Sequence, residues 1–168
     1  MAIISSLEKD QVNSAAKEVY EKFEKKTGSV PEWVKVMAHS PLILKEFTEL
    51  FSEVMKEGQI NLLLKWKIAY TVSQALKCPF CVDVTKKMIT KLGAEEEVLQ
   101  ELEKTTEKDK KILDLVKDIT DDAIVDQVDI FKKVRENYSE QQIVEIVSVI
   151  GLFNYINRFN NTLGVLPE

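Results

Sequence analysis

Cys78 and Cys81 are the only cysteines in a chain of 168 residues, and they stand three positions apart in "KCPFCVDVTKK". A C-x-x-C pair suits three chemistries: two thiols cycling with a disulfide, two corners of a metal site, or two small hydrophobes in a core. Pro79 is well placed to open a helix, because the first turn has no partner for the N–H that proline lacks. Cys78 then falls at the N-cap, where free backbone N–H groups and the positive end of the helix dipole favour a thiolate, and Lys77 beside it adds a cation. At about 100° per residue, Cys78, Cys81, Thr85, Met88 and Leu92 share one inward edge of the helix, so the two sulfurs can meet. Dithiol oxidoreductases use this arrangement: one thiolate attacks and the other resolves the mixed disulfide or sulfenic acid. A structural zinc usually takes four Cys or His ligands, and this chain holds two Cys and one His. No metal and no cofactor is therefore expected, unless subunits pool their cysteine pairs.

The elements that must position these thiols are helical. Apolar residues recur at spacings of three and four, and strict alternation is absent, so the reading is all-α. A first helix is expected from Ser6 to Lys26 with Val12, Ala15, Ala16, Val19 and Phe23 inward, closed by Gly28. Pro31 and Pro41 each open a further helix, the second placing Leu44, Phe47, Phe51 and Val54 inward. The helix from Asn61 to Leu76 is apolar over most of its circumference, the mark of a buried position. After the C-x-x-C helix, which stops at Gly93, come a short acidic helix in "AEEEVLQELEK", helices over Lys108–Ile119 and Asp121–Tyr138, and a last one starting at Ser139. Gln142, three residues after Ser139, makes a capping box. The last helix is also apolar nearly all round, so it and the helix before the cysteines are expected to form the centre of the bundle. This describes one domain over residues 1–168: N-terminal helices over 1–57, a C-x-x-C core over 58–93 and C-terminal helices over 94–168.

Composition narrows the function. A formal net charge of −5 leaves no excess of cations to neutralise phosphates or attract anionic lipid, so nucleic-acid and membrane-surface partners are not expected. No run approaches the roughly 20 apolar residues that span a bilayer, and the N-terminus has no basic lead or cleavage site, so a cytoplasmic location is expected. In a reducing compartment a close cysteine pair points away from a structural disulfide and toward redox or metal chemistry.

"KWKIAYTVSQALKCPFCVDVTKKMITKLG" resembles the core of the carboxymuconolactone decarboxylase and alkylhydroperoxidase D superfamily. There a helix ending in a Val-Ser segment leads into C-x-x-C at the start of the next helix. "GSVPEWVKVMAHSPLILKEF" is similar to the family's opening segment, and "YSEQQIVEIVSVIGLFNYINRFNNTLGV" to its closing helix with an Asn-Arg pair, here Asn157 and Arg158. The resemblance implies an AhpD-like helical fold, homo-oligomers of trimer or hexamer type, and a dithiol that reduces peroxides or exchanges disulfides with a partner thiol protein. The family's peroxidase motif carries a glutamate twelve residues before the first cysteine and a histidine four after the second. Those positions here hold Trp66 and Thr85. Thr85 can donate a hydrogen bond to a thiolate but is no base near neutral pH, and Trp66 offers only an N–H and bulk.

Other residues could serve the site. His39 is the lone side chain with an unperturbed pKa near neutrality, and would replace the missing base if the fold brought it to the thiols. Trp66, Tyr70 and Phe80 could line an apolar pocket beside the sulfurs, although such aromatics usually belong to cores. Lys65 and Lys67, flanking Trp66, read as solvent-facing. Asn154, Tyr155, Asn157 and Arg158 interrupt a very apolar helix and need partners there. Two other functions compete with a dithiol redox protein: a non-catalytic scaffold of the same fold, and a lyase resembling the decarboxylase.

Overall fold

A computed structural model of the chain describes residues 3–93, 107–121, 132 and 134–167. These residues form seven helices and no strand: α1 (Ser14–Thr27), α2 (Glu32–Met37), α3 (Pro41–Val54), α4 (Leu62–Ala75), α5 (Pro79–Lys91), α6 (Glu107–Asp121) and α7 (Glu140–Leu163). The protein is all-α, as its periodicity requires. The expected acidic helix and most of the expected Asp121–Tyr138 helix lie outside the described residues.

Most boundaries follow local chemistry. Asn61 caps α4 by accepting from Leu64 N at 2.8 Å. Both halves of the capping box open α7: Ser139 N donates to Gln142 Oε1 at 2.9 Å, and Gln142 N donates to Ser139 Oγ at 3.3 Å. The first helix is the exception, starting at Ser14 rather than Ser6. Asn13 caps it by accepting from Ala16 N, and the preceding backbone is held by long-range bonds instead. Leu7 N donates to Lys35 O at 3.3 Å, and the Leu7 carbonyl accepts from the Tyr20 hydroxyl at 2.7 Å. Tertiary partners thus override a periodicity that would have extended the helix.

The chain divides into two compact units, Met1–Glu53 with Phe159–Glu168, and Val54–Arg158. The first is held by α1, α2 and α3. Trp33 lies at the middle of an aromatic cluster, edge-on to Phe23 and Phe47 with ring centroids 5.7 Å away in each case, and tilted against Phe51 at 6.4 Å. Edge-to-face pairs of this kind add about 0.5–1.5 kcal/mol beyond the area they bury. Ile3 N donates to Leu163 O at 2.9 Å, joining the amino-terminal segment to the end of α7.

The second unit is built on α4, which packs against α5 and α6. Nine of its fourteen residues are buried, the central position expected from its unbroken apolarity. One of the nine corrects the sequence reading: Lys65 is 1% exposed, not solvent-facing. Its ammonium donates to the carbonyls of Val54 and Lys56 at 2.8 Å each, and pairs with Glu145 Oε2 of α7 at 3.1 Å. Glu145 accepts in turn from Gln59 N at 2.9 Å and Ile60 N at 3.2 Å. These bonds tie the segment between α3 and α4 to two helices and explain Gly58, where a Cβ would stand 2.5 Å from Glu145 Oε1.

Burial pushes the Glu145 carboxyl up, but hydrogen bonds from Gln59, Lys65 and Ile60, together with the Lys65 charge, outweigh it and hold the carboxyl below the ordinary range. A depressed folded-state pKa stabilises above the unfolded value, about 4.3 for glutamate, and that stability is lost as pH falls through the folded value. Breaking a buried pair costs about 3–5 kcal/mol. Because the Glu145 side chain is 28% exposed, we expect Glu145→Ala to destabilise near the lower figure in urea unfolding at pH 7. The difference from wild type should shrink below pH 4; a constant difference would show that the ion pair is not its source.

Candidate active site

The thiols sit where α4 ends and α5 begins, and one residue serves both helices. Leu76 caps α4, Lys77 N donates to Gln74 O at 3.1 Å, and Cys78 N donates to Ser73 O at 3.2 Å. This is a Schellman closure, in which the two residues after the cap return to the last turn and the first of them takes a left-handed conformation. That first residue is normally glycine; here it is Lys77, with φ 52°. Cys78 then becomes the N-cap of α5, with Pro79 next in line, and its Sγ accepts from Cys81 N at 3.3 Å. The Cys78 amide is thus fixed by the outgoing helix, and its sulfur by the incoming one.

Neither cysteine is in a disulfide among the described residues, and both are buried, Cys78 at 0% and Cys81 at 4% exposure. A hydrogen bond from the Cys81 side chain is the largest influence on the Cys78 thiol and lowers its pKa. Burial opposes this, and the backbone N–H groups of Cys81 and Phe80 add to the lowering, leaving the thiol below its ordinary value. Lys77 is exposed and is not among these causes. The preference for thiolate comes from the N-terminal amides of α5 and from the second cysteine.

Cys81, Thr85 and Ile89 line the buried face of α5 with Phe80, whereas Leu92 is 38% exposed. Thr85 follows Cys81 by one turn, but its hydroxyl does not supply the donor expected for a thiolate. It gives its single proton to the Cys81 carbonyl at 2.7 Å, with the Val82 carbonyl at 3.1 Å. Threonine within a helix commonly bonds back to its own backbone in this way.

The aromatic candidates are buried and engaged elsewhere. Trp66 is 6% exposed and meets Phe153 of α7 edge-on at 6.0 Å, and its Nε1 has no hydrogen-bond partner among the described residues. The Tyr70 hydroxyl accepts from the Gln74 side chain one turn away. His39 belongs to the first unit, where it is exposed and its Nε2 meets the Ser5 carbonyl at 2.8 Å. On α7, Asn157 is fully buried and donates to Phe153 O at 2.7 Å, Asn154 donates to Ile150 O at 3.0 Å, and Arg158 donates to Asn154. Among the described residues no group of three His, Cys, Asp or Glu is placed to hold a metal ion, and no helix is long and apolar enough to cross a membrane.

Sequence reasoning passed over the Lys65–Glu145 pair, which fixes α4 and so the ground beneath Cys78. A lysine inside a helix apolar all round was the available signal, since a charge is not buried without a partner.

The architecture and site define a class: a helical bundle with a C-x-x-C pair at a helix start. Residues 41–107 match the sequence model of the carboxymuconolactone decarboxylase family. The fold is shared with the core of alkylhydroperoxidase AhpD, in an uncharacterized peroxidase-related protein from Ralstonia eutropha JMP134 (TM-score 0.87, 19% identity, 99% of this chain and 92% of that one). It is shared equally with the debrominase Bmp8 in complex with 2,3,4-tribromopyrrole (TM-score 0.85, 20% identity, 100% of this chain and 92% of that one). The uncharacterized protein YdfG of Bacillus subtilis is 29% identical over 143 residues, covering 80% of this chain and 88% of its own. Over residues 41–107, which hold both cysteines, the chain is thus similar to the carboxymuconolactone decarboxylase family.

Two measurements check this geometry. Cys81→Ala should raise the Cys78 pKa, shifting the pH profile of iodoacetamide reaction upward; an unmoved profile would remove Cys81 as the main influence. A left-handed non-glycine residue costs about 1–2 kcal/mol, and glycine gives back about 0.5–1 kcal/mol through the unfolded chain. Lys77→Gly should therefore stabilise by about 0.5–1 kcal/mol, read as a rise in Tm, and a fall would show that Lys77 is not strained.

Proposed function

We propose that the protein is a thiol-disulfide redox protein in which Cys78 and Cys81 cycle between dithiol and disulfide, in keeping with the peroxidase- and antioxidant-related role supported at the superfamily level. The observation carrying this reading is the Cys78 sulfur at the start of α5, accepting from Cys81 N with the Cys81 side chain bonded to it. A thiol held below its ordinary pKa beside a second thiol has both parts of the exchange reaction: an attacking thiolate and a resolving partner.

With a disulfide substrate, the Cys78 thiolate attacks one sulfur and expels the other as a thiolate. Cys81, losing its proton, then attacks the Cys78 sulfur and releases the bound half. The substrate gains two electrons and the pair becomes a disulfide. With an organic hydroperoxide, the thiolate attacks the terminal oxygen, the O–O bond breaks, and the alkoxide leaves and takes up a proton. Cys81 then displaces water from the sulfenic acid so formed. In both cases a dithiol or a pair of thiols, such as a partner thiol protein, must restore the reduced form.

The two substrates should not be handled equally. Proton transfer by a positioned acid or base is worth ~10²–10⁴-fold. The positions that resemble the family's relay hold Trp66 and Thr85, which supply only an N–H and an O–H already given to the Cys81 carbonyl. Disulfide exchange depends chiefly on thiolate fraction and access, so it should outpace peroxide reduction. The debrominase shows that this fold alone does not select a reaction, and the assignment rests on the thiol pair.

The test compares wild type with Cys78→Ser for reduction of a small aromatic disulfide and for consumption of cumene hydroperoxide. Faster disulfide reduction, lost in the variant, is expected. Equal inactivity of both proteins toward both substrates would leave a non-catalytic scaffold with two core cysteines.

A further inference from the structure

Among the described residues, four helices are followed by a residue with positive φ, and after three of them it is a glycine. These are Gly28 after α1, Gly93 after α5 and Gly164 after α7, with φ of 84°, 85° and 70°. After α4 it is Lys77, with φ 52°, the one non-glycine in this conformation among the described residues. A lysine there carries a backbone strain that glycine avoids, and strain of this kind gathers at functional sites, where a particular side chain is needed. Lys77 immediately precedes Cys78, the nucleophile of the proposed reaction.

The acidity of the thiol does not account for the lysine, which is exposed and takes no part in lowering the Cys78 pKa. Its backbone is nevertheless fixed. Lys77 N is bonded to Gln74 O at 3.1 Å, and the next amide to Ser73 O at 3.2 Å. The root of the side chain is thereby anchored one Cα step, about 3.8 Å, from Cys78. A flexible four-carbon stem carries the ammonium from that root, within reach of a molecule that approaches the Cys78 sulfur.

The surrounding charge has the same sign. Residues 58–93 hold Lys65, Lys67, Lys77, Lys86, Lys87 and Lys91 against a single acid, Asp83, in a chain whose formal net charge is −5. Asp83 is bonded to Lys87 at 2.7 Å, so the one acid of this stretch does not offset Lys77. The two helices that meet at the thiols are a cationic region of an acidic protein, and a field of that sign concentrates anions.

We propose that Lys77 determines substrate specificity at the thiol pair, its ammonium selecting disulfides that carry a carboxylate close to the sulfur–sulfur bond. The assignment rests on the dithiol reading above. The Cys78 thiolate attacks the near sulfur, the S–S bond breaks, and the far half leaves as a thiolate while the carboxylate of the bound half stays beside Lys77. Cys81, losing its proton to solvent, then displaces the bound half as a second thiolate. The cysteine pair loses the two electrons that the substrate gains.

The test uses the reduced protein and two aromatic disulfides of the same skeleton, the dithiobis-nitrobenzoate dianion and its uncharged diamide. Release of aromatic thiolate is followed for wild type, Lys77→Gln and Lys77→Arg. The thiolate fraction of Cys78 enters both rates equally, so the ratio of the dianion rate to the diamide rate reports the effect of substrate charge. Lys77→Gln should lower that ratio about fivefold, corresponding to about 1 kcal/mol between unit charges about 4 Å apart in water. Lys77→Arg should keep the wild-type ratio. In wild type the ratio should fall toward that of Lys77→Gln as salt is raised, because exposed charges are screened. An unchanged ratio in Lys77→Gln, a Lys77→Arg variant that matches Lys77→Gln, or a wild-type ratio insensitive to salt overturns the assignment and leaves the dithiol reading standing. If neither disulfide reacts with wild type, the dithiol reading fails and this assignment with it.

Discussion

The junction between α4 and α5 is closed by Cys78 from both sides. Its amide completes the hydrogen bonds at the end of α4, and its sulfur takes the place of the side-chain oxygen that usually caps a helix. Rotation of the Cys78 side chain would cost the cap on α5, and movement of its backbone would open the last turn of α4. The thiol is therefore held by the backbone of two helices, with the Cys81 side chain bonded to it besides. Its lowered pKa comes first from the Cys81 side chain, and the amides that satisfy the cap add to it against the effect of burial.

That junction is only as firm as α4. The helix carries a buried lysine whose ammonium is satisfied by two carbonyls and by Glu145. A buried charge with complete partners contributes little net stability, but it fixes a particular arrangement, because any slip strands an ion away from water. The pair thus connects α4, α7 and the segment before α4 into one register, with the thiols at the far end of α4. Gly58 is part of the same device, since its missing side chain leaves room for the Glu145 carboxylate.

The positions at which the resembling family carries its proton relay hold no base here. Trp66 and Thr85 can donate but cannot take up a proton, and Thr85 gives its hydrogen to the backbone. His39 is an exposed residue of the other unit. On the proposed dithiol reading, such a site favours reactions in which sulfur displaces sulfur, since both the attacking and the leaving group are thiolates and little proton movement is required. It suits less well the cleavage of an O–O bond, where the alkoxide leaves as a strong base.

The sequence by itself determined the helices with strong periodicity and local stops, the central place of α4, and the N-cap position of Cys78. Each of these rests on interactions within a few residues: Pro79 at the first turn, Asn61 and the Ser139–Gln142 box at the caps, and an unbroken apolar surface on α4. Only the tertiary structure decided the rest. The start of α1 moved to Ser14 because Lys35 and Tyr20, distant in the chain, hold the backbone around Leu7. Lys65 turned inward because a carboxylate eighty residues away on α7 was there to meet it. Thr85 lay on the predicted face, yet its hydroxyl chose the nearest carbonyl, a choice between competing acceptors that spacing cannot rank. The exposure of Val144, Val147 and Tyr155 on α7 was equally invisible in the sequence: apolarity all round reads as burial, and only packing decides which side is left open.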